Sequence, residues 1–217
     1  MEAGTATRDP ATGRLQSTAP KEEPAPSGGF KVADPGPLGL AAFALTTFVL
    51  SMYNSGILDA RGEAVVLGVA LAYGGFAQLL AGMWEFRSGN TFGALAFTSY
   101  GAFWISFAAF VQWFEKGIPE SVVGQSVGVY LVGWAIFTTY MLIASLRTTG
   151  AIALVFALLA VTFWLLAIGN WTTTDGIVKA GGFVGIATAV AAWYASFAVV
   201  TNATFGRTIM PVKPLSG

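Results

Sequence analysis

The stretch that decides the fold is AIALVFALLAVTFWLLAI, residues 151–168, which contains no charged residue. A helix rises 1.5 Å per residue, so a run of this length comes close to crossing the ~30 Å hydrocarbon core of a bilayer. Five more apolar stretches are of similar length: residues 38–57, 64–84, 92–114, 122–146 and 177–200. The sequence therefore predicts an all-α, polytopic membrane protein whose six transmembrane helices form a bundle around a central pathway.

The composition supports this fold class. Of the 217 residues, 55% are hydrophobic and 10% are charged, whereas about 25% are charged in an average soluble domain. Almost all the charges after residue 37 lie in the short segments between the apolar stretches. The alternative, a transmembrane β-barrel, needs alternating segments of about ten residues, and these are not seen.

Several function classes are excluded by residue types that are missing. The chain has no cysteine and no histidine, so thiolate or histidine metal sites, cysteine nucleophiles and histidine-based triads are ruled out. The paired pore histidines of ammonium transporters are ruled out for the same reason. The 11 basic and 11 acidic residues balance, which argues against a nucleic-acid partner. We expect neither an enzyme, nor a metal, nor a cofactor.

The domain organisation follows from composition. Residues 1–30 hold four prolines, mixed charges and no apolar run, which predicts a disordered tail. Residues 31–208 form the six-helix domain, and residues 209–217 a short C-terminal tail. One side of the membrane collects more basic residues: Lys21, Lys31, Arg87, Arg147, Arg207 and Lys213, against Arg61, Lys116 and Lys179. The excess of positive charge predicts that both termini are cytoplasmic, and we expect the plasma, or cell inner, membrane.

Glycine pairs at a spacing of four residues predict close helix packing. They are Gly89 with Gly93, Gly124 with Gly128, and Gly181 with Gly185. Packing within the chain and contact between subunits both remain open at this stage.

Polar side chains within the spans are candidates for a solute path, because they are costly in lipid and tend to face the bundle interior. For serine and threonine a bond to the preceding helical turn is the common alternative. The amides of Asn54 and Gln78 are harder to satisfy in that way. Glu85, at the end of the second span, either pairs with Arg87 at the membrane surface or serves as the proton-responsive group.

A resemblance to a known family adds to these inferences. The segment DPGPLGLAAF, residues 34–43, resembles the Asn-Pro-Ala-Pro-Leu-Gly-Leu-x-x-Phe signature of the acetate uptake transporter family, which includes bacterial succinate–acetate permeases. The resemblance continues in order to residue 208, through YGGFAQ (73–78), AGMWE (81–85), GNTFG (89–93), FTSYGAFW (97–104), GVYL (128–131), LAIGN (166–170) and FGRT (205–208). Asp34 and Gly36 depart from the signature, and a negative charge at residue 34 could repel an incoming anion.

The resemblance implies a homo-hexamer in which each subunit carries small carboxylates, acetate foremost and succinate among them. It also implies a hydrophobic constriction at Phe43, Tyr100 and Leu159, and proton symport. Thr46 and Thr47, one turn beyond Phe43, are the chosen carboxylate donors. The candidate substrate-binding set as a whole is Thr46, Thr47, Asn54, Gln78, Asn90 and Thr91, with Glu85 for the proton.

Two alternatives remain for the function, and one for the role of the constriction residues. The chain could be a passive channel for small monocarboxylate anions without energetic coupling, which the sequence does not separate from a symporter. It could be a membrane sensor or scaffold whose N-terminal tail is the working part. The aromatic residues assigned to the constriction could instead face lipid or fill the core. The expected partners are therefore acetate or a similar carboxylate, protons and the lipid bilayer.

Overall fold

The computed structural model describes residues 7–8, 15–16 and 32–215. In the first of two compact units, residues 1–31, the strands β1 (Thr7–Arg8) and β2 (Leu15–Gln16) pair antiparallel, with Thr7 opposite Gln16. Most of the tail predicted for residues 1–30 lies outside the described residues, so its disorder stays a prediction. The second unit, residues 32–217, contains the membrane domain.

Six long helices make up this second unit. They are α1 (Gly36–Asn54), α2 (Val65–Ser88), α3 (Thr91–Gly117), α4 (Glu120–Ser145), α5 (Gly150–Trp171) and α6 (Asp175–Phe205). Each is long and apolar enough to cross a membrane, as the apolar stretches predict. The fold class is confirmed: apart from the two-residue strands β1 and β2, the described residues form an all-α, multi-pass membrane protein.

The ends of the helices follow local sequence signals. Helix α2 ends at Gly89, whose φ of +80° is a left-handed conformation that glycine adopts without strain. Asn90 then begins α3, because its side-chain oxygen accepts a hydrogen bond from the Gly93 N–H at 3.1 Å. Thr149 caps α5 in the same way through the Ile152 N–H. Helix α1 ends three residues earlier than the apolar stretch suggests, since Gly56 has a φ of +75°.

The helices form a ring in the order α4, α5, α6, α1, α2, α3, and each packs on the next. The ring closes between α3 and α4, where contact is sparse. One end of the bundle, here the terminal face, carries the start of α1 and the end of α6. The opposite end, here the loop face, carries the α1–α2, α3–α4 and α5–α6 connections. The terminal face carries the basic residues Arg87, Arg147, Arg207 and Lys213, and the loop face carries Arg61, Lys116 and Lys179. Lys21 and Lys31 of the predicted set lie outside the described residues.

Glycine allows the helices to approach closely. A Cβ at Gly182 in α6 would lie 2.6 Å from the carbonyl carbon of Asn54, at the end of α1. A Cβ at Gly128 in α4 would lie 2.9 Å from the backbone nitrogen of Trp171 in α5. Both members of the predicted pair in α6 pack closely too, because a Cβ at Gly181 would lie 2.8 Å from the Leu166 side chain and one at Gly185 would meet the Ser51 side chain. Packing within the chain is therefore observed for the pairs in α4 and α6. The pair in α2 and α3 differs, because Gly89 ends a helix and has no neighbour within 4 Å.

Two segments have the wider turns of a π-helix, Ala70–Ala77 in α2 and Phe110–Phe114 in α3. Such turns are rare and are often found at functional sites. The first segment comes directly before Gln78 and brings Gly74 against the Thr46 side chain of α1. The hydrophobic pattern of the sequence does not predict these π-helical segments, because it reports only where apolar residues lie.

Candidate functional site: a cavity that ends on a buried aromatic cluster

A cavity of about 650 Å³ opens at the loop face. It lies between the ends of α1, α3 and α5 and the beginnings of α2 and α4. The lining is mainly apolar and aromatic, with a few polar groups: Leu50, Asn54, Glu63, Ala64, Val66, Leu67, Phe103, Phe107, Phe110, Val111, Glu115, Ile118, Ser126, Val127, Tyr130, Leu131, Phe163, Leu166 and Asn170. An apolar cavity with few polar groups is typical of a binding site for a small organic solute.

The cavity ends on a cluster of aromatic rings, and this cluster contains all three residues of the predicted constriction. Phe43, Tyr100 and Leu159 are each at most 5% exposed and belong to one buried cluster. The ring centroids of Phe43 and Tyr100 are 5.7 Å apart. Phe103 and Phe163, which line the cavity, belong to the same cluster. They follow Tyr100 and Leu159 by three and four residues, so the predicted constriction lies about one helical turn (roughly 5 Å) deeper.

Tyr100 is held in this cluster both by ring contacts and by a hydrogen bond. Its ring lies parallel to that of Phe163, with 11° between the planes and 6.4 Å between the centroids. Its hydroxyl forms a 2.9 Å hydrogen bond with the hydroxyl of Thr138 in α4, which is fully buried. Thr138 is not among the site residues predicted from the sequence, because a threonine in an apolar span usually bonds its own helix. The bond fixes the ring at the point where α3 and α4 pack least.

The predicted polar residues of α1 separate into two groups. Phe43, Thr47, Leu50 and Asn54 recur at helical spacing and share one face, and Leu50 and Asn54 line the cavity. The Thr47 hydroxyl is buried and has no hydrogen-bond partner within the described residues, so it is free to donate. The Thr46 hydroxyl instead donates to the Ala42 carbonyl at 3.0 Å, and the side chain packs against α2. Of the two threonines, Thr47 has the geometry of a carboxylate donor.

Gln78 is a second buried polar residue that has no hydrogen-bond partner among the described residues. Its side chain is 1% exposed, and neither the amide nitrogen nor the amide oxygen forms a hydrogen bond to the rest of residues 32–215. A buried amide left unpaired costs about 1–3 kcal/mol, so a site that keeps one is expected to supply it with water or solute. The indole N–H of Trp104 in α3 is similarly buried and unpaired, and the sequence did not single it out.

The terminal face carries the remaining predicted residues. Glu85 is 2% exposed, and its carboxylate accepts a 3.3 Å hydrogen bond from the Ser88 hydroxyl. Within the described residues the ion pairs are Asp59 with Arg61 and Asp175 with Lys179, so the expected surface pairing of Glu85 with Arg87 does not form there. Asn90 and Thr91 are exposed at the start of α3, close to this carboxylate but away from the cavity.

Asp34 joins the same cluster. Its carboxylate accepts a 2.8 Å hydrogen bond from the Gly36 N–H, at the start of α1. A Cβ at Gly36 would lie 3.0 Å from the Asp34 carboxylate and 3.6 Å from that of Glu85. The first family motif and the Glu85 segment therefore meet at one end of the bundle, with two carboxylates close together.

The loop-face mouth of the cavity has two carboxylates of its own, on Glu63 and Glu115. Burial raises the pKa of the Glu63 carboxyl, and the negative charge of Glu115 raises it further. Nearby, the exposed Asp59 has a lowered pKa because it bonds to Arg61. Glu63 therefore takes up a proton more readily than an ordinary surface glutamate.

Several known proteins are similar in sequence to this chain. Acetate permease A of Emericella nidulans is 45% identical over 198 residues, which cover 84% of this chain and 66% of the relative. Ammonia transport outward protein 2 of Saccharomyces cerevisiae is 45% identical over 185 residues, 82% of this chain and 65% of the relative. The succinate-acetate/proton symporter SatP of Escherichia coli is 39% identical over 185 residues, 85% of this chain and 97% of the relative. The chain thus spans just under two thirds of the length of the fungal relatives.

A solved structure, described as that of the bacterial acetate channel SatP, superposes with a TM-score of 0.78 at 39% identity. The match covers 84% of this chain and 99% of the solved one. Residues 16–217 also match the sequence profile of the GPR1/FUN34/yaaH family. The resemblance inferred from the motifs is confirmed, and the chain belongs to the GPR1/FUN34/yaaH family.

Proposed function

We propose that this protein transports acetate and related small carboxylates, succinate among them, across a membrane. One observation carries the proposal: the cavity leads to the uncharged cluster of Phe43, Tyr100 and Leu159. The unpaired polar groups of Thr47 and Trp104 lie four residues after Phe43 and Tyr100. The names of two relatives, an acetate permease and a succinate-acetate/proton symporter, support the same substrate class.

The chemistry of a carboxylate suits this path. The Thr47 hydroxyl and the Gln78 amide can donate to the carboxylate oxygens and replace part of its water shell. The methyl group of acetate can then pass between apolar and aromatic side chains. An unpaired ion in a low-dielectric environment costs several kcal/mol, so the anion is expected to need a proton or these donors at the constriction.

Proton symport is the proposed coupling, and Glu85 is its proposed proton-binding group. A transported proton cancels the charge of the anion, and a buried carboxyl at the end of the path can take it up. A passive anion channel is the alternative, and the relatives' names point both ways, since SatP is called a symporter in one case and a channel in the other.

The experiment uses purified protein reconstituted in proteoliposomes, with labelled acetate and an imposed pH gradient. Accumulation is compared with the distribution that acetic acid reaches by itself in protein-free vesicles. Accumulation above this level supports symport. Saturable uptake that stops at this level supports a channel, and uptake equal to that of protein-free vesicles contradicts the proposed function altogether.

The assembly and orientation are also proposals. We propose a homo-hexamer with a separate pathway in each subunit, in the plasma, or cell inner, membrane. Both termini are proposed to be cytoplasmic, because the terminal face carries the larger share of basic residues. We also propose that the protein is a transporter and not an enzyme, since the two relatives are named as a permease and a symporter.

Ammonia is a second candidate substrate, favoured by the name of the Saccharomyces cerevisiae relative. Neutral ammonia would pass an uncharged constriction without a carboxylate donor. Alkalinisation inside the same proteoliposomes after an ammonium pulse measures it. Loss of acetate uptake but not of alkalinisation in Thr47→Val would assign the donor to the carboxylate.

A further inference from the structure

A second cavity, of about 660 Å³, is an apolar groove between α5 and α6 that is separate from the path. Its walls come from small and aliphatic residues, and residues 211–213 cover one end: Gly150, Ala151, Leu154, Leu158, Ala187, Val190, Ala191, Tyr194, Pro211, Val212 and Lys213. We propose that this groove binds one acyl chain of a phospholipid with an anionic headgroup, whose phosphate lies at Lys213.

The depth of the groove fits one leaflet of a bilayer. On α5 the lining runs from Gly150, at the start of the helix, to Leu158. These eight steps correspond to a depth of about 12 Å, and half of the hydrocarbon core is about 15 Å. The groove therefore begins at the membrane surface and ends near the bilayer centre, which is the space that one acyl chain occupies.

The C-terminal segment that covers the groove is held in place by hydrogen bonds. The Tyr194 hydroxyl donates to the Pro211 carbonyl at 2.6 Å, and the Gly150 N–H donates to the Lys213 carbonyl at 2.8 Å. The Leu215 N–H donates to the Thr148 carbonyl at 2.9 Å. Lys213 has a φ of +46°, a conformation uncommon for a residue other than glycine. The backbone contacts thus fix Lys213 at the membrane end of the groove.

The charges at this end are complementary to a phosphate. Lys213 lines the groove, is exposed, and forms no ion pair within residues 32–215. Arg147 is likewise exposed and comes directly before Thr148, which bonds to the C-terminal segment. Among the described residues, none of those that line the groove is acidic. A basic group next to an apolar groove at the membrane surface is the arrangement that recognises an anionic lipid.

The test uses the purified full-length protein in mixed micelles with phosphatidylglycerol and phosphatidylcholine, and native mass spectrometry to count retained lipids. We expect one phosphatidylglycerol per subunit to be preferred over phosphatidylcholine. Lys213→Gln should lower the preference for phosphatidylglycerol by about fivefold. Arg207 is a basic residue of the same face that does not line the groove, so Arg207→Gln should leave the preference unchanged. Equal retention of both lipids by the wild type, or equal loss in both variants, would overturn the proposal.

A second variant tests the groove itself. Ala187 is exposed in the groove, so Ala187→Trp should fill it without disturbing the core and abolish retention of the lipid. Ala102→Trp, at an exposed alanine of α3 that does not line the groove, is the matched control. If Ala187→Trp keeps the lipid but dissociates the oligomer, the groove is an interface between copies of the chain and the proposal is wrong.

Discussion

The hydrogen bond between Tyr100 and Thr138 gives the sharpest test of how the predicted constriction is held in place. Thr138→Val keeps the volume of the side chain but removes the hydroxyl that pairs with Tyr100 at 2.9 Å. The tyrosine hydroxyl is then buried without this partner, which destabilises the native position of the ring. A rotated position in which the hydroxyl points into the cavity becomes more populated. We expect the gap beside Phe43 to widen and substrate selection to loosen.

The size of this effect follows from measured hydrogen bonds between membrane helices, which are worth about 0.6 kcal/mol on average and at most about 1.7 kcal/mol. These values correspond to a change of about threefold to eighteenfold in the population of the displaced ring. The ratio of butyrate uptake to acetate uptake in proteoliposomes should rise within that range.

Two matched variants complete this experiment. Thr138→Ser keeps the hydroxyl and should behave like the wild type. Thr162→Val removes another buried hydroxyl, which bonds to Leu158 and Thr188 between α5 and α6, and should leave the uptake ratio unchanged. The reasoning is refuted if Thr138→Val has the wild-type ratio, or if Thr162→Val changes the ratio equally.

Three further predictions concern other parts of the bundle. The fold raises the pKa of Glu63, so the folded state loses stability as the pH rises and this carboxyl becomes charged. Glu63→Gln should therefore raise the unfolding temperature at pH 8 but not at pH 4. An equal change at both pH values would contradict this. Gly182→Ala should cost about 1–3 kcal/mol of stability by overpacking against α1, whereas Gly133→Ala, with open space around it, should not; thermal unfolding compares the two. Asp34→Asn should lower the KM for acetate by about twofold, since unit charges ~8 Å apart in water interact by about 0.5 kcal/mol. Asp175→Asn is the control, because Asp175 is paired with a lysine; a KM in Asp34→Asn equal to that of the wild type would count against repulsion by Asp34.

The number and extent of the spans could be predicted because apolar length alone determines what crosses a bilayer. Residues 151–168 lie wholly within α5, which adds one residue at its start and three at its end. The ends themselves depend on backbone conformation, as at Gly56, which stops α1 before the apolar stretch is complete. Hydrophobicity carries no information on that point.

The candidate site could be predicted in part. The motifs placed Phe43, Tyr100 and Leu159 in one cluster, which the structure contains, although their role in selection stays a prediction. Thr46 and Thr47 could not be ranked from sequence, because adjacent helical residues differ by about 100° in direction and the face that meets α2 was unknown. The partner of Tyr100 lies 38 residues away on another helix, so only tertiary packing reveals it.

The carboxylates at the loop face and the groove under residues 211–213 were not anticipated. Glu63 lies just before α2 and Glu115 in the last turn of α3, so the two meet only when the ring of helices forms. The C-terminal segment has no apolar run, and its position depends on backbone hydrogen bonds to Tyr194 and Gly150. A single sequence does not show such long-range pairings.

The most direct test of the account is the effect of Phe43→Ala on substrate selection, set against Phe76→Ala at a residue of α2 that is 60% exposed on the outside of the bundle. Uptake of labelled acetate and butyrate is measured in proteoliposomes that contain equal amounts of folded protein. We predict that Phe43→Ala raises acetate uptake or admits butyrate, while Phe76→Ala matches the wild type. Rates and selectivity unchanged by Phe43→Ala would show that solutes do not pass between Phe43, Tyr100 and Leu159.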